Sequence, residues 1–408
     1  MFKIAFYSFA VRSISLAVRL AFIIFFGKFY SLEIIGIYGL IVGLTAICSQ
    51  LIPFDFFNFS TLEILEPKIT EHQKKLFLVQ HVLFTTFMVI LSIPILYIFF
   101  NYTTLSYSLF IPIALLVIFE TFSKDFSRIL VALEKPIKSY TILFLLTVPW
   151  TLTILFLINY DIILNIEEVL QLWVLSSFLA SIYGFFSLEI SIKNLFNIKK
   201  ISFDWIKKGI SFSYPFLIAT IGYSLSQYIG RFILSEVTSV EIVGIFSLFF
   251  QISAIIFIII DLSISIYLPS YLRNKQNKDL DKNRNYEIIV FTLICSSIIF
   301  LNITDYYIFK YINSELLNYI NVFELMIIGI GFISFSTILR LRLYVKKMNH
   351  EIMIVYLVSL IFSIFFNFYF IINFQILGSA YSLILTGVLL CILMIYYDLK
   401  DRNFLNIK

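Results

Sequence analysis

Charge is scarce in this sequence: Asp, Glu, Lys and Arg make up 13% of its 408 residues, about half the share usual in soluble domains. Cysteine is rarer still, and Cys48, Cys295 and Cys391 lie in separate apolar stretches, which indicates neither a disulfide framework nor a zinc site. His72, His81 and His350 show no metal-ligand spacing, so no metal is expected. A phosphate-binding glycine loop followed by Lys and Ser or Thr is also missing, which argues against ATP as the direct energy source. Long connecting segments are lacking as well, and the tight punctuation leaves no room for a soluble domain.

What fills the chain instead is apolar: 60% hydrophobic and 18% aromatic residues, with a mean hydropathy of +0.96. That composition identifies an integral membrane protein. Runs of about 20 apolar residues recur, and the alternation of a membrane β-barrel is not seen, so the fold class is an all-α bundle. Twelve spans are predicted, at about 4–30, 34–59, 76–100, 107–133, 140–160, 169–192, 208–234, 241–267, 287–309, 319–345, 352–374 and 377–398. The first is too long for a signal peptide, contains arginines and runs directly into a second span, so it is expected to be retained.

Lys and Arg concentrate at the N-terminus and in 60–75, 134–139, 193–208, 270–286, 346–351 and the C-terminal tail, whereas the opposite loops hold only Lys28 and Lys310. The positive-inside rule then puts both termini in the cytoplasm. The net charge of +5 reflects this topology and not nucleic-acid binding, which needs a basic face on a soluble surface.

An internal repeat divides the chain. Glu33-Ile-Ile-Gly-Ile-Tyr-Gly-Leu40 recurs as Glu241-Ile-Val-Gly-Ile-Phe-Ser-Leu248, an offset of 208. A second echo pairs Arg128 with Arg340 and Lys135 with Lys347. Two six-helix halves, 1–200 and 201–408, are therefore expected as a parallel repeat about an axis along the membrane normal. The first helix carries Ser8, Arg12, Ser15 and Arg19 on one face, and the seventh carries Thr220, Ser224, Gln227 and Arg231 at the same spacings. Arg12 maps onto Thr220 and Arg19 onto Gln227.

Intramembrane charge is expensive, so it marks function or pairing. The basic residues inside spans are Arg12, Arg19, Lys124, Arg128, Arg231, Arg340 and Arg342, and the acids are Asp55, Glu120, Asp125, Asp261 and Glu324. Arg340 and Arg342 sit near a helix end, where snorkelling to the headgroups accounts for them. Glu120 and Lys124 stand four apart, a spacing that permits an ion pair within one helix. Each acid either neutralises a neighbouring cation or carries a coupling H+ or Na+. Pro53, beside Asp55, and Pro149 are helix breakers where bends are expected.

With its arginine-bearing first helix, the repeated Glu-Ile-(Ile/Val)-Gly-Ile segment, the Arg128 to Pro136 stretch and Ser213-Tyr-Pro-Phe216 opening the seventh helix, the chain resembles a Wzx-type polysaccharide flippase. That family lies in the multidrug/oligosaccharidyl-lipid/polysaccharide (MOP) export superfamily, whose MATE-like fold the resemblance implies. It further implies translocation of undecaprenyl-pyrophosphate-linked oligosaccharide repeat units across the bacterial inner membrane, for O-antigen or capsule assembly. A polymerase and a chain-length regulator of that pathway would be its partners, beside membrane lipid. In that reading Arg12, Arg19, Lys124, Arg128 and Arg231 line a cationic cavity between the halves and bind pyrophosphate, a role that suits the planar guanidinium fork. Asp55, Glu120, Asp125, Asp261 and Glu324 couple ions or pair charges. Two alternatives stay open: a cation-coupled small-molecule exporter of the same fold, and a membrane-embedded polysaccharide polymerase or glycosyltransferase. The latter is disfavoured because the longest extracytoplasmic loop, about 16 residues, is short for a catalytic segment.

Overall fold

A computed structural model describes residues 2–66, 69–103, 105–190, 202–260, 263–264, 280–346 and 348–406. Among these, helices account for the regular structure and no strand occurs, as expected where the hydrocarbon offers no partner for a backbone N–H or C=O. The order is α1 (Phe2–Phe29), α2 (Leu32–Leu51), α3 (Phe57–Ile64), α4 (Glu71–Phe100), α5 (Phe110–Ala132), α6 (Pro136–Asn159) and α7 (Ile166–Ser187). There follow α8 (Phe203–Val237), α9 (Val240–Ser253), α10 (Leu280–Ile312), α11 (Ile320–Val345) and a hairpin of α12 (349–374) and α13 (376–406). Gln375, at φ 50°, makes that reversal, and Gly378 lets the backbone of Phe370 approach, since a Cβ there would lie 2.0 Å from its carbonyl oxygen.

Among the described residues nine stretches are long and apolar enough to cross a bilayer, the α12–α13 hairpin counting as one. Two long helices fall outside that set for chemical reasons. α5 carries Glu120, Lys124, Asp125 and Arg128, and α8 is diluted by Ser, Thr, Tyr and Gln.

The expected second span does not run unbroken to 59. α2 ends at Leu51, the chain turns through 52–56, and a short α3 follows. Pro53 removes a backbone donor, while Phe54 and Asp55 take φ of 59° and 49°, a left-handed pair that non-glycine residues adopt at a cost. Helix ends elsewhere follow local chemistry. Thr70 with Gln73 and Asn165 with Glu168 form capping boxes at α4 and α7, and Pro136 occupies the first turn of α6. At the α7 terminus Lys138 and Lys135 hold Glu189, and these hydrogen bonds push its carboxyl down to about 2.

Two compact units arise: Met1–Phe29 with Ile41–Thr220, and Tyr30–Leu40 with Ile221–Lys408. In the first, α3 to α7 enclose a core that includes Val79, Phe126, Ile129, Leu130 and Ile142. Beside it Phe56, Phe59 and Phe84 pack on Trp205, from the start of α8. Gly209 admits this contact, because a Cβ there would lie 2.3 Å from the Phe56 ring.

In the second unit the sequence repeat packs on itself. A Cβ on Gly36 would lie 2.1 Å from the Val240 carbonyl oxygen, and one on Gly244 would lie 2.0 Å from that of Leu32. Leu32 and Val240 are separated by the same 208 positions as Gly36 and Gly244, so the two contacts are one contact seen twice. Between them Gly39 faces its own equivalent, Ser247, with a Cβ 2.0 Å from Oγ. Residues of matching register meet, as in two helices running the same way, and small residues permit so close a crossing. A local two-fold axis therefore relates residues 32–40 to 240–248.

Candidate functional site

α5 is the hub of the first unit's polar interior. Its four charged residues fall on more than one face and reach different partners, because Glu120, Lys124 and Arg128 follow the four-residue helical row and Asp125 projects about 100° further round. Glu120 accepts from Lys124 Nζ at 2.5 Å and from Trp173 Nε1 at 3.0 Å. Lys124 also donates to Ser49 Oγ on α2, at 2.9 Å. Trp173 stacks on Trp150, with ring centroids 5.1 Å apart, and Trp150 meets Phe22 of α1 edge-on. These aromatics shield the pair from one side and strengthen its electrostatics.

One turn on, Arg128 lies 3.6 Å from Asp55 and over the Phe57 ring at 5.0 Å. Thr220 Oγ1 donates to the other Asp55 oxygen. The left-handed turn at 54–55 thus aims a buried carboxylate at α5, and the backbone cost is offset by charge-assisted hydrogen bonds. On the remaining face Asp125 accepts from His81 Nε2 at 2.7 Å and from Thr85 Oγ1 at 2.9 Å.

The other sequence-predicted residues are placed as follows. Arg12 lies over the Tyr140 ring at 4.8 Å. Arg19 is exposed and has no ion pair or ring contact among the described residues. Arg231, in the second unit, is fully buried; it donates to the Gly39 carbonyl at 3.0 Å and lies over Phe250 and Tyr228 at 4.6 and 5.0 Å. It braces the glycine crossing. Glu324 is half-buried near the start of α11. Asp261 lies outside the described residues. Arg340 sits over Tyr223, and Arg342 grips Glu287, with Asp398 at 3.5 Å and Lys346 joining Asp398 at 2.9 Å.

The structure therefore brings Lys124 to Glu120 and Arg128 to Asp55, and it places Arg231 in the other unit. His81 is the residue that sequence reasoning passed over. A better signal than metal spacing was an imidazole inside the expected span 76–100, with Thr85 four residues on along the same face. Among the described residues no group of three or more His, Cys, Asp or Glu is arranged to hold a metal ion.

No protein-family model matches the chain, and no curated protein is significantly similar to it in sequence. Solved structures do match over nearly its whole length. The lipid II flippase MurJ superposes with a TM-score of 0.73 at 13% identity, covering 97% of this chain and 87% of that one. A multidrug resistance MATE family transporter of the MOP superfamily gives 0.72 at 9% identity, covering 97% and 98%. The chain has a MATE- and MurJ-like fold. The Vibrio cholerae MATE transporter VcmN also matches, with a TM-score of 0.59 at 10% identity and coverage of 97% and 95%. At such identities the likeness concerns the fold alone, and activity has to be argued from the residues described above.

Proposed function

We propose that the chain is a secondary transporter, not an enzyme, that exports an amphipathic small molecule by alternating access coupled to H+ or Na+. The observation that carries this reading is the charge balance around α5. Lys124 and Arg128 are already engaged by Glu120 and Asp55, and Asp125 adds a third buried acid. Carboxylates held by hydrogen bonds and a displaceable cation suit ion exchange, whereas a phosphate-binding site calls for uncommitted cations. Bilayer-buried acids of this kind are also the groups that pumps use for proton relay. The positive-inside bias and the resemblance together favour a bacterial inner membrane, with both termini cytoplasmic.

The test is efflux of ethidium from energised cells. Asp55→Asn and Glu120→Gln are each expected to lower the rate at least about tenfold at equal protein level, the effect of losing one well-oriented charged group. Absence of efflux by the unaltered protein removes this reading.

A second reading is favoured by Arg19, whose guanidinium is exposed on an apolar helix and unpaired among the described residues. With Arg12, Lys124 and Arg128 of the same unit it would serve the pyrophosphate of an undecaprenyl-linked oligosaccharide, in O-antigen or capsule assembly. The MurJ match is a lipid II flippase. Loss of repeat-unit translocation in Arg19→Ala, with no ethidium efflux by either protein, would favour the flippase.

A further inference from the structure

Ser60, His81, Thr85 and Asp125 are each fully buried, and they come from three elements, α3, α4 and α5. His81 Nε2 lies 2.7 Å from Asp125 Oδ2, which also accepts from Thr85 Oγ1. His81 Nδ1 lies 2.8 Å from Ser60 Oγ, and the same hydroxyl is 3.3 Å from the Phe57 carbonyl oxygen. Phe56 covers the imidazole, with ring centroids 5.7 Å apart.

From this geometry we infer that His81 and Asp125 form a reversible proton-binding site in which Ser60 is the hydroxyl that changes partner. With the imidazole neutral, Nε2–H donates to Asp125 and Nδ1 accepts the Ser60 O–H. When a proton enters at Nδ1, that nitrogen becomes a donor to Ser60 Oγ, and the Ser60 O–H turns to the Phe57 carbonyl. Both states leave every nitrogen of the ring with a partner, so one hydroxyl rotation admits the proton without orphaning a buried group. Asp125 balances the added charge at hydrogen-bond distance, and Thr85 fixes the accepting oxygen.

Other charged groups set the field around this pair. Arg128 follows Asp125 by one turn on α5, Asp55 lies within electrostatic range of Asp125, and half-buried Glu63 stands one turn beyond Ser60 on α3. From α8, Asp204, Lys207 and Lys208 near Trp205 are exposed. α4 adds Lys74, Lys75 and Glu71 only at its distant first turns. Asp125 is thus the one acid in contact with the ring among the described residues. The site adjoins the Asp55 turn, because the Phe57 ring lies under the Arg128 guanidinium, which pairs with Asp55. That the proton is the coupling ion rests on the cation-coupled reading above; the site itself does not.

The test is nitrogen NMR of the full chain, labelled at histidine and held in lipid nanodiscs, between pH 5 and 9. His72 and His350 are exposed and serve as internal standards, and His72→Gln and His350→Gln assign the third signal by elimination. His81 Nδ1 is expected to pass from acceptor to donor as the pH falls while Nε2 remains a donor throughout. Asp125→Asn is expected to abolish the change in folded protein. An Nδ1 that stays unprotonated across the range, while the two exposed histidines titrate, overturns the site. If His81 titrates but transport ignores ion gradients, the site stands and the coupled reading falls; gradient-driven transport with a silent His81 sinks this inference alone.

Discussion

Alanine at Gly36 or at Gly244 is expected to remove most of the folded protein from the membrane, and to the same extent at both positions. A methyl at either place would sit 2.0 to 2.1 Å from a backbone carbonyl oxygen of the facing helix. Backbone cannot swing aside as a side chain can, so α2 and α9 would have to separate by an ångström or more. Forced expansion of a packed core costs about 1–3 kcal/mol and occasionally more. Here the separation would also stretch the Arg231 hydrogen bond to Gly39, leaving a buried guanidinium poorly held. Gly331→Ala is the control: its methyl would meet the far end of the Ile298 side chain, at 2.7 Å, which a rotamer change relieves. Gel filtration of a fluorescent fusion reads all three. A tolerated Gly244→Ala beside a lost Gly36→Ala would contradict the two-fold crossing.

The second large effect is asymmetric. Lys124→Met is expected to destabilise by about 2–3 kcal/mol, below the roughly 3–5 kcal/mol of a fully buried ion pair, because the lysine is 29% exposed. The change leaves Glu120, only 6% exposed, with Trp173 as its remaining donor. Glu120→Gln is expected to cost under about 1 kcal/mol, since the amide still accepts from Trp173 and Lys124 keeps Ser49 and partial solvation. The double variant should recover most of the loss, as a neutral pair of similar shape replaces a charged one. Thermal unfolding in detergent checks the order. A loss in the double variant equal to the sum of the two single losses would mean that Lys124 and Glu120 do not act as a pair.

The architecture was largely legible because bilayer physics restricts it. Long apolar runs become helices, and the Glu-Ile-(Ile/Val)-Gly-Ile repeat marked a crossing where small residues are obligatory. The break at 52–56 was foreshadowed by Pro53, but the left-handed turn that aims Asp55 inward follows from tertiary partners, Thr220 and Arg128, that lie far away in sequence. The i,i+4 pairing of Glu120 with Lys124 could be read locally. That Asp125 answers to His81, or Glu120 to Trp173, could not, because it depends on the rotational setting of α4 and α7 around α5.

Counting charges within spans also misjudged their balance. Seven basic residues against five acids suggested a cationic interior, yet Arg342 is satisfied by Glu287 and Asp398 at span ends, acids left out of that count. Around α5 the acids are Asp55, Glu120 and Asp125 against Lys124 and Arg128. The excess of positive charge in the sequence is therefore not an excess at the polar hub, and Arg19 is the basic residue whose purpose packing does not explain.

Ion coupling through Asp55 and Glu120 is tested most directly in liposomes containing the purified protein, with a pH-sensitive dye trapped inside and a sodium gradient as the parallel arm. An imposed proton or sodium gradient is expected to drive ethidium uphill. Added ethidium should in turn move the coupling ion the other way, and Asp55→Asn and Glu120→Gln should lose both signals. Transport at the same rate with and without either gradient, or full coupling in both variants, would contradict the account.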